Sequence, residues 1–256
     1  MSSVKLASGC DLPLLGLGTW ELRGDQCAEV VERALDMGYR HIDTAHMYRN
    51  QDAVGQGLKQ SGIDREDVFI TTKIWQDALR YDQVMKQFQT CLDLLQVEYV
   101  DLLLIHWPNE TVPLEETLRA FDEIQAADRV RHIGVSNFSN EQVDRAIQLA
   151  QAPICNNQVE FHVGHFQESV WRHCRDHGVV VTAHRPLAVG AIANDATLAR
   201  IGGDHNKSAA QVALRWLVQR QIIAIPKASS EAHLQDNMDI FSWTLDEEEM
   251  KRIDLL

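Results

Sequence analysis

Eight short apolar runs punctuate the 256 residues, and after the first, near Leu14–Leu17, each leads into a segment with helical periodicity. The runs lie at 39–45, 67–75, 99–107, 130–138, 153–161, 179–187 and 222–228; the helical segments lie at 50–60, 82–96, 114–127, 140–150, 166–177, 194–202 with 208–219, and 231–238. Strands rich in Val, Ile and Leu that alternate with helices imply right-handed crossovers and a parallel sheet buried on both faces. Eight such strands close on themselves, so the expected fold class is α/β, a (β/α)8 TIM barrel. A doubly wound sheet is the alternative. Its usual Gly-rich fingerprint is not met, because Gly16-Leu17-Gly18-Thr19 runs into Trp20. The stretch 4–20 alternates around Ser8-Gly9 and predicts an N-terminal β-hairpin ahead of the first barrel strand. No linker or low-complexity segment interrupts residues 1–256, which predicts a single barrel domain.

Helix starts follow the same register. Thr111 and Pro113 precede Leu114-Glu115-Glu116, Ser139 or Asn140 precedes Glu141, and Thr244-Leu245-Asp246-Glu247 opens the last helix. Each resembles an N-cap with an acidic first turn.

A formal net charge of -13 repels phosphate polymers and anionic lipid surfaces, which argues against nucleic acid and membrane partners. An anionic ligand therefore requires a local positive site. Five cysteines without a CxxC pair fit reduced thiols better than a disulfide framework. The first residues form no apolar leader and no window approaches a bilayer span, so a soluble cytoplasmic protein is expected.

In such a barrel, catalytic groups stand where the strands end. Here the strand ends present Asp43 through Tyr48, Lys73, His106, Ser136-Asn137, Gln158, His184-Arg185 and Lys227, with Trp20, Trp75 and Trp107 beside them. Taken singly, Asp43 is equally a turn cap, Lys73 a surface lysine and His106 a satisfied core histidine. Jointly those readings fail. Lys73 sits between β-branched residues and Trp75, and a buried ammonium needs a partner. Asp43 is the natural one. Three tryptophans and Met47 around convergent polar groups suggest a small-molecule pocket.

The strings HIDTAHMYRN at 41–50, TTKIW at 71–75, DLLLIHWP at 101–108, GVSNF at 134–138, NQVEFH at 157–162 and IPKA with Asn237, after the opening GLGTW, resemble the aldo-keto reductase family over nearly the whole chain. The finer likeness is to bacterial 2,5-diketo-D-gluconate reductases, which also reduce methylglyoxal. The resemblance implies NADPH-dependent reduction of small carbonyls by a monomer. Tyr48 would be the proton donor, Lys73 would favour its phenolate, Asp43 would hold Lys73, and His106 would orient the carbonyl oxygen. It further implies that Ser136, Asn137 and Gln158 hold the nicotinamide carboxamide with Thr19 close by. Lys227 would meet the 2'-phosphate, Ser229 and Ser230 would serve the phosphate loop, and Asp236 and Asn237 would face adenine.

The chain departs from the family in places. His184-Arg185 stands where an aromatic residue and Ser are usual; an imidazole can still stack, and Arg185 is expected to reach the pyrophosphate, the alternative being solvent. The run Leu187-Ala188-Val189-Gly190 lacks the usual Gly and Ser, and His233 and Ala228 replace an Arg and a Ser that grip the 2'-phosphate. Neutral His is a weaker anchor than Arg, so NADH use alongside NADPH is left open. The end at Leu256 lacks the longer tail of many relatives, which predicts an open pocket of broad specificity.

Two other readings compete. His162-x2-His165 and His173-x3-His177 suggest a metal-dependent hydrolase, but these pairs are not expected to converge at the strand tops, and no catalytic metal is expected. A non-catalytic nucleotide-binding subunit is the second, and the intact Asp43, Tyr48, Lys73, His106 set argues against it.

Overall fold

The computed structural model describes residues 2–7 and 9–256. A two-stranded antiparallel hairpin comes first: β1 (Ser3–Lys5) pairs with β2 (Asp11–Pro13), Val4 facing Leu12. The Ser8 half of the predicted turn lies outside the described residues; Gly9 adopts a φ of 84° that favours glycine.

The barrel strands are β3 (Leu17–Gly18), β4 (His41–Asp43), β5 (Phe69–Ile74), β6 (Val100–Ile105), β7 (Val130–Ser136), β8 (Ile154–Glu160), β9 (Val180–His184) and β10 (Ile223–Ala224). They pair in parallel and in chain order from β3 to β10. The ring closes where β3 meets β10: Gly16 N–H donates to the Ala224 carbonyl at 2.9 Å, Ala224 N–H to Leu14 at 2.9 Å, and Gly18 N–H to Pro226 at 3.1 Å. Gly18 is obligatory at this seam, because a Cβ there would lie 2.5 Å from the Ile225 carbonyl oxygen. The (β/α)8 expectation and the N-terminal hairpin are both observed.

The surrounding helices are α1 (Gly24–Asp36), α2 (Gln51–Ser61), α3 (Tyr81–Leu95), α4 (Leu114–Ala126), α5 (Asn140–Leu149), α6 (Glu168–Asp176), α7 (Ala196–His205), α8 (Ala209–Gln219), α9 (Glu231–Met238) and α10 (Glu247–Asp254). Helix α1 was not among the segments read from the sequence. Its buried face, Cys27, Ala28, Val30, Val31, Ala34 and Leu35, has helical spacing, but Gly24 opens it and Arg23, at the N-cap, offers no side-chain bond. Cap assignments also sharpen. Ser139, not Asn140, caps α5 in a reciprocal box with Gln142, and Asp246, not Thr244, caps α10. Thr111 caps nothing: its hydroxyl donates to Asn109 at 2.7 Å, and α4 starts behind Pro113 with no side-chain cap.

Burial is nearly complete along the strands; β4 and β5 are buried at every position. No helix among the described residues is long and apolar enough to cross a membrane. Cys27, Cys91, Cys155 and Cys174 are buried free thiols.

Candidate active site

Three strand ends meet around one buried ammonium. Lys73, on β5 with no exposed surface, donates from Nζ to Asp43 Oδ1 at 2.6 Å, to the Thr44 carbonyl at 2.9 Å and to the Tyr48 hydroxyl at 3.2 Å. All three N–H donors are thereby used. Parallel pairing places Asp43 opposite Thr71, two residues before Lys73. Tyr48 arrives on the short 3-10 turn His46–Tyr48 that follows β4. His106, just past β6, is held by a backbone bond from its N–H to Ile74 at 2.9 Å and stands edge-on to Tyr48 and Trp75, with ring centroids 5.7 and 4.9 Å away.

Burial opposes both charges of the ion pair. It pulls the Lys73 pKa down, but Asp43 and the Tyr48 oxygen outweigh it, and the net direction is up, so the ammonium persists. Burial pushes the Asp43 carboxyl up against the pull of Lys73 and Gln158. For Tyr48 two influences compete. Lys73 does pull the phenol down, but burial is the larger influence and the net direction is up from the ordinary value. The geometry therefore suits a phenol that keeps its proton until an acceptor arrives. Burial, then Lys73 and His184, drives His106 down to about 2, which keeps its imidazole neutral at working pH.

A second ring of polar groups adjoins the first. Gln158 on β8 donates from Nε2 to Asp43 Oδ2 at 2.7 Å. Ser136 donates to the Gln158 carbonyl at 2.7 Å, and Asn137, with a φ of 62°, donates from Nδ2 to the His106 carbonyl at 2.9 Å. His184 Nε2 donates to Asn137 Oδ1 at 2.9 Å. The buried Thr19 hydroxyl donates to the Asp43 carbonyl at 2.9 Å, and Asn50 ties the Thr19 carbonyl to the same corner at 2.8 Å. Asn50 was given no role from sequence, although it ends the string HIDTAHMYRN; its three partners lie on two separate loops.

The remaining expected contacts form a separate group. Lys227 follows β10 and pairs with Glu21 at 2.8 Å. Ser229, Ser230, His233 and Asp236 are exposed at α9, where Ser230 caps the helix by accepting from the His233 N–H. Asn237 is buried and bonded to the Tyr39 hydroxyl. Arg185 has a φ of 51° and pairs with Glu160 at 3.2 Å. Leu187 is half-buried at the start of a loop in which Ala188, Val189 and Gly190 all have positive φ. Neither carboxylate partner, Glu21 nor Glu160, was visible as such in the sequence. Around the mouth, Trp20 is 39% and Trp107 43% exposed; Trp20 lies edge-on to Tyr48 at 4.9 Å, and Met47 and Trp75 are half-buried.

The four histidines of the hydrolase reading do not form one centre. Among the described residues, the one group with metal-ligand spacing is Asp144, His173 and His177, which includes neither His162 nor His165.

The sequence profile of the aldo/keto reductase family matches residues 14–256. The chain belongs to this family. This aldo/keto reductase is 38% identical to the glyoxal reductase of Bacillus subtilis (strain 168) over 255 residues, covering 99% of the chain and 92% of the relative. Among solved structures, a candidate 2,5-diketo-D-gluconic acid reductase B matches with a TM-score of 0.97 at 42% identity, covering 100% of this chain and 92% of that one. The aldo-keto reductase of Bombyx mori, solved in complex with NADP, matches with a TM-score of 0.93 at 32% identity, covering 99% and 92%. Its family makes this protein a carbonyl-reducing oxidoreductase.

Proposed function

We propose that this aldo/keto reductase, acting as one barrel domain, uses NADPH to reduce small aldehydes and dicarbonyls of the glyoxal, methylglyoxal or diketogluconate type to alcohols. The observation that carries the reading is the Asp43–Lys73–Tyr48 contact, 2.6 Å on one side and 3.2 Å on the other, with neutral His106 beside the phenol. Carbonyl reduction needs a proton for the oxygen. Tyr48 is the donor: as its proton leaves, charge develops on the phenol oxygen 3.2 Å from Lys73 Nζ, and the ammonium stabilises that charge. Asp43 keeps Lys73 charged and oriented. His106, being neutral, orients the carbonyl oxygen as a hydrogen-bond donor and does not compete as an acid.

The residues present fit a nicotinamide dinucleotide. Ser136, Asn137 and Gln158 present hydroxyl and amide groups at adjacent strand ends beside the catalytic cluster, and Thr19 and His184 complete that wall. Lys227, Ser229, Ser230 and His233 gather at the start of α9 for a phosphate, with Asp236 and Asn237 further along it. When bound, the cofactor supplies hydride to the carbonyl carbon. Arg185, which pairs with Glu160, and Leu187 stand on the loop after β9 and would serve the pyrophosphate. Trp20, Met47, Trp75 and Trp107 form the substrate pocket.

The test is consumption of reduced cofactor with methylglyoxal, run with wild type and Tyr48→Phe. Turnover lost by a factor of about 10² to 10⁴ in Tyr48→Phe, with NADPH still quenching tryptophan fluorescence, supports the reading. Binding of NADPH without turnover of any aldehyde by wild type overturns it in favour of a nucleotide-binding subunit.

A further inference from the structure

We propose that Asp144, His173 and His177 form a site for one divalent transition-metal ion on the outside of the barrel, tying α5 to α6. His173 stands in the last turn of α6 and His177 caps that helix, four residues on; their rings lie 4.4 Å apart, inclined by 33°. Asp144 reaches across from α5, with Oδ1 at 2.7 Å from His173 Nε2 and 3.7 Å from His177 Nε2. One ligand atom from each residue falls within 4.8 Å of the other two. A tetrahedral ion with bonds of 2.0–2.1 Å to nitrogen holds its ligand atoms roughly 3.3–3.4 Å apart. The two observed spacings bracket that value, so rotation of exposed or half-exposed side chains closes the site.

Three further features favour a cation here. His177 donates from Nδ1 to the His173 carbonyl at 2.9 Å, which sets the tautomer and leaves Nε2 of the neutral ring as a bare donor of electrons. A backbone carbonyl on the second ring nitrogen is how metal-bound histidines are usually oriented. The rings also stand at the C-terminal end of α6, where unpaired carbonyls attract positive charge. The neighbouring Arg175 is engaged elsewhere, paired with Asp176 at 3.1 Å and stacked over Trp171. Two imidazoles and one carboxylate suit zinc, copper, nickel or cobalt rather than calcium or magnesium. On binding, the proton that His173 Nε2 shares with Asp144 passes through water to Nδ1 of the same ring, which frees Nε2 for the ion, and water completes the coordination.

Helices α5 and α6 follow β7 and β8, the strands that carry Ser136 and Gln158, so the ion braces the barrel wall behind those residues. The chemistry at the strand tops does not require it. Zinc serves as the probe. Metal-free protein with any affinity tag removed is titrated with Zn2+ against a chromogenic chelator, and melting is followed with and without the ion. One equivalent should bind, His177→Ala and Asp144→Asn should each weaken it at least tenfold, and His162→Ala should leave it unchanged. Zinc at about 100 times Kd should raise the wild-type midpoint by roughly 5–10 °C and leave that of His177→Ala unmoved. Turnover with NADPH should be equal before and after chelation. Equal zinc binding by wild type and His177→Ala, or no stoichiometric binding at all, overturns the proposal.

Discussion

Gln158 Nε2 donates to Asp43 Oδ2 at 2.7 Å, on the carboxylate oxygen that Lys73 does not use. The two residues are separated by 115 positions in the chain, and the bond joins the group expected to hold nicotinamide to the group that holds the ammonium. In the proposed function, the cofactor wall and the proton chemistry therefore share one carboxylate. Gln158→Leu removes a charge-assisted bond from a buried anion and should destabilise the fold by about 1–3 kcal/mol, read by urea denaturation. It should also raise KM for the cofactor. A change in KM with wild-type stability would show that Asp43 finds another donor.

Asp43→Asn leaves a buried ammonium without its counterion. We expect a loss of roughly 3–5 kcal/mol in unfolding free energy, together with loss of turnover, because Lys73 loses the group that keeps it charged. Equal stability of wild type and Asp43→Asn would mean that the pair is held apart or hydrated in solution.

Acid should destabilise the protein early. Burial depresses His41 to about 3, His106 to about 2 and His184 to about 4. The unfolded chain takes up these protons near pH 6.5 and the folded chain does not, so the unfolded state binds more protons and stability falls as pH drops below about 6.5. Each histidine contributes a slope of about 1.4 kcal/mol per pH unit once well below that value. Denaturation midpoints at pH 7.5, 6.5 and 5.5, values of roughly this spacing, should fall in that order, and His184→Phe should flatten the slope by one proton.

The Glu21–Lys227 pair holds the lysine expected to meet the 2'-phosphate. Lys227 in turn holds the Glu21 carboxyl below its usual range. Glu21→Gln should free Lys227 and lower KM for NADPH by about two- to five-fold without altering KM for NADH, as expected for release of an exposed pair. Adding His233→Arg should strengthen the preference further, because a guanidinium gives a permanent charge and a fork of donors. Parallel changes for both cofactors would place Lys227 away from the 2'-phosphate.

The seam of the barrel is sensitive to a single methyl group. Gly18→Ala would set a Cβ 2.5 Å from the Ile225 carbonyl oxygen, a backbone atom with no freedom to move aside. Destabilisation of roughly 1–3 kcal/mol is expected, measurable by thermal melting.

The strand positions and the chemistry at their ends were legible in the chain because both are local properties. Short apolar runs name the strands, and a (β/α)8 ring of parallel strands puts their C-terminal ends on one face. That was enough to bring the span Asp43 through Tyr48, Lys73 and His106 to one face and to pair Lys73 with Asp43, which the geometry bears out at 2.6 Å; the family resemblance singled out Tyr48 within that span. Helix α1 escaped because its opening residues carry no cap signal, and the cap of α10 fell two residues beyond Thr244.

What only the tertiary structure decided depends on distance across the ring and on exclusion of water. Whether Tyr48 shifts up or down follows from burial as much as from Lys73, and burial is a property of the assembled barrel. Gln158 meets Asp43, Glu21 meets Lys227 and Asp144 meets the His173–His177 pair, because curling the sheet and packing the helices bring together residues far apart in sequence. Periodicity along a chain assigns each residue to an element and an end; which side chains then touch is decided by how the elements pack.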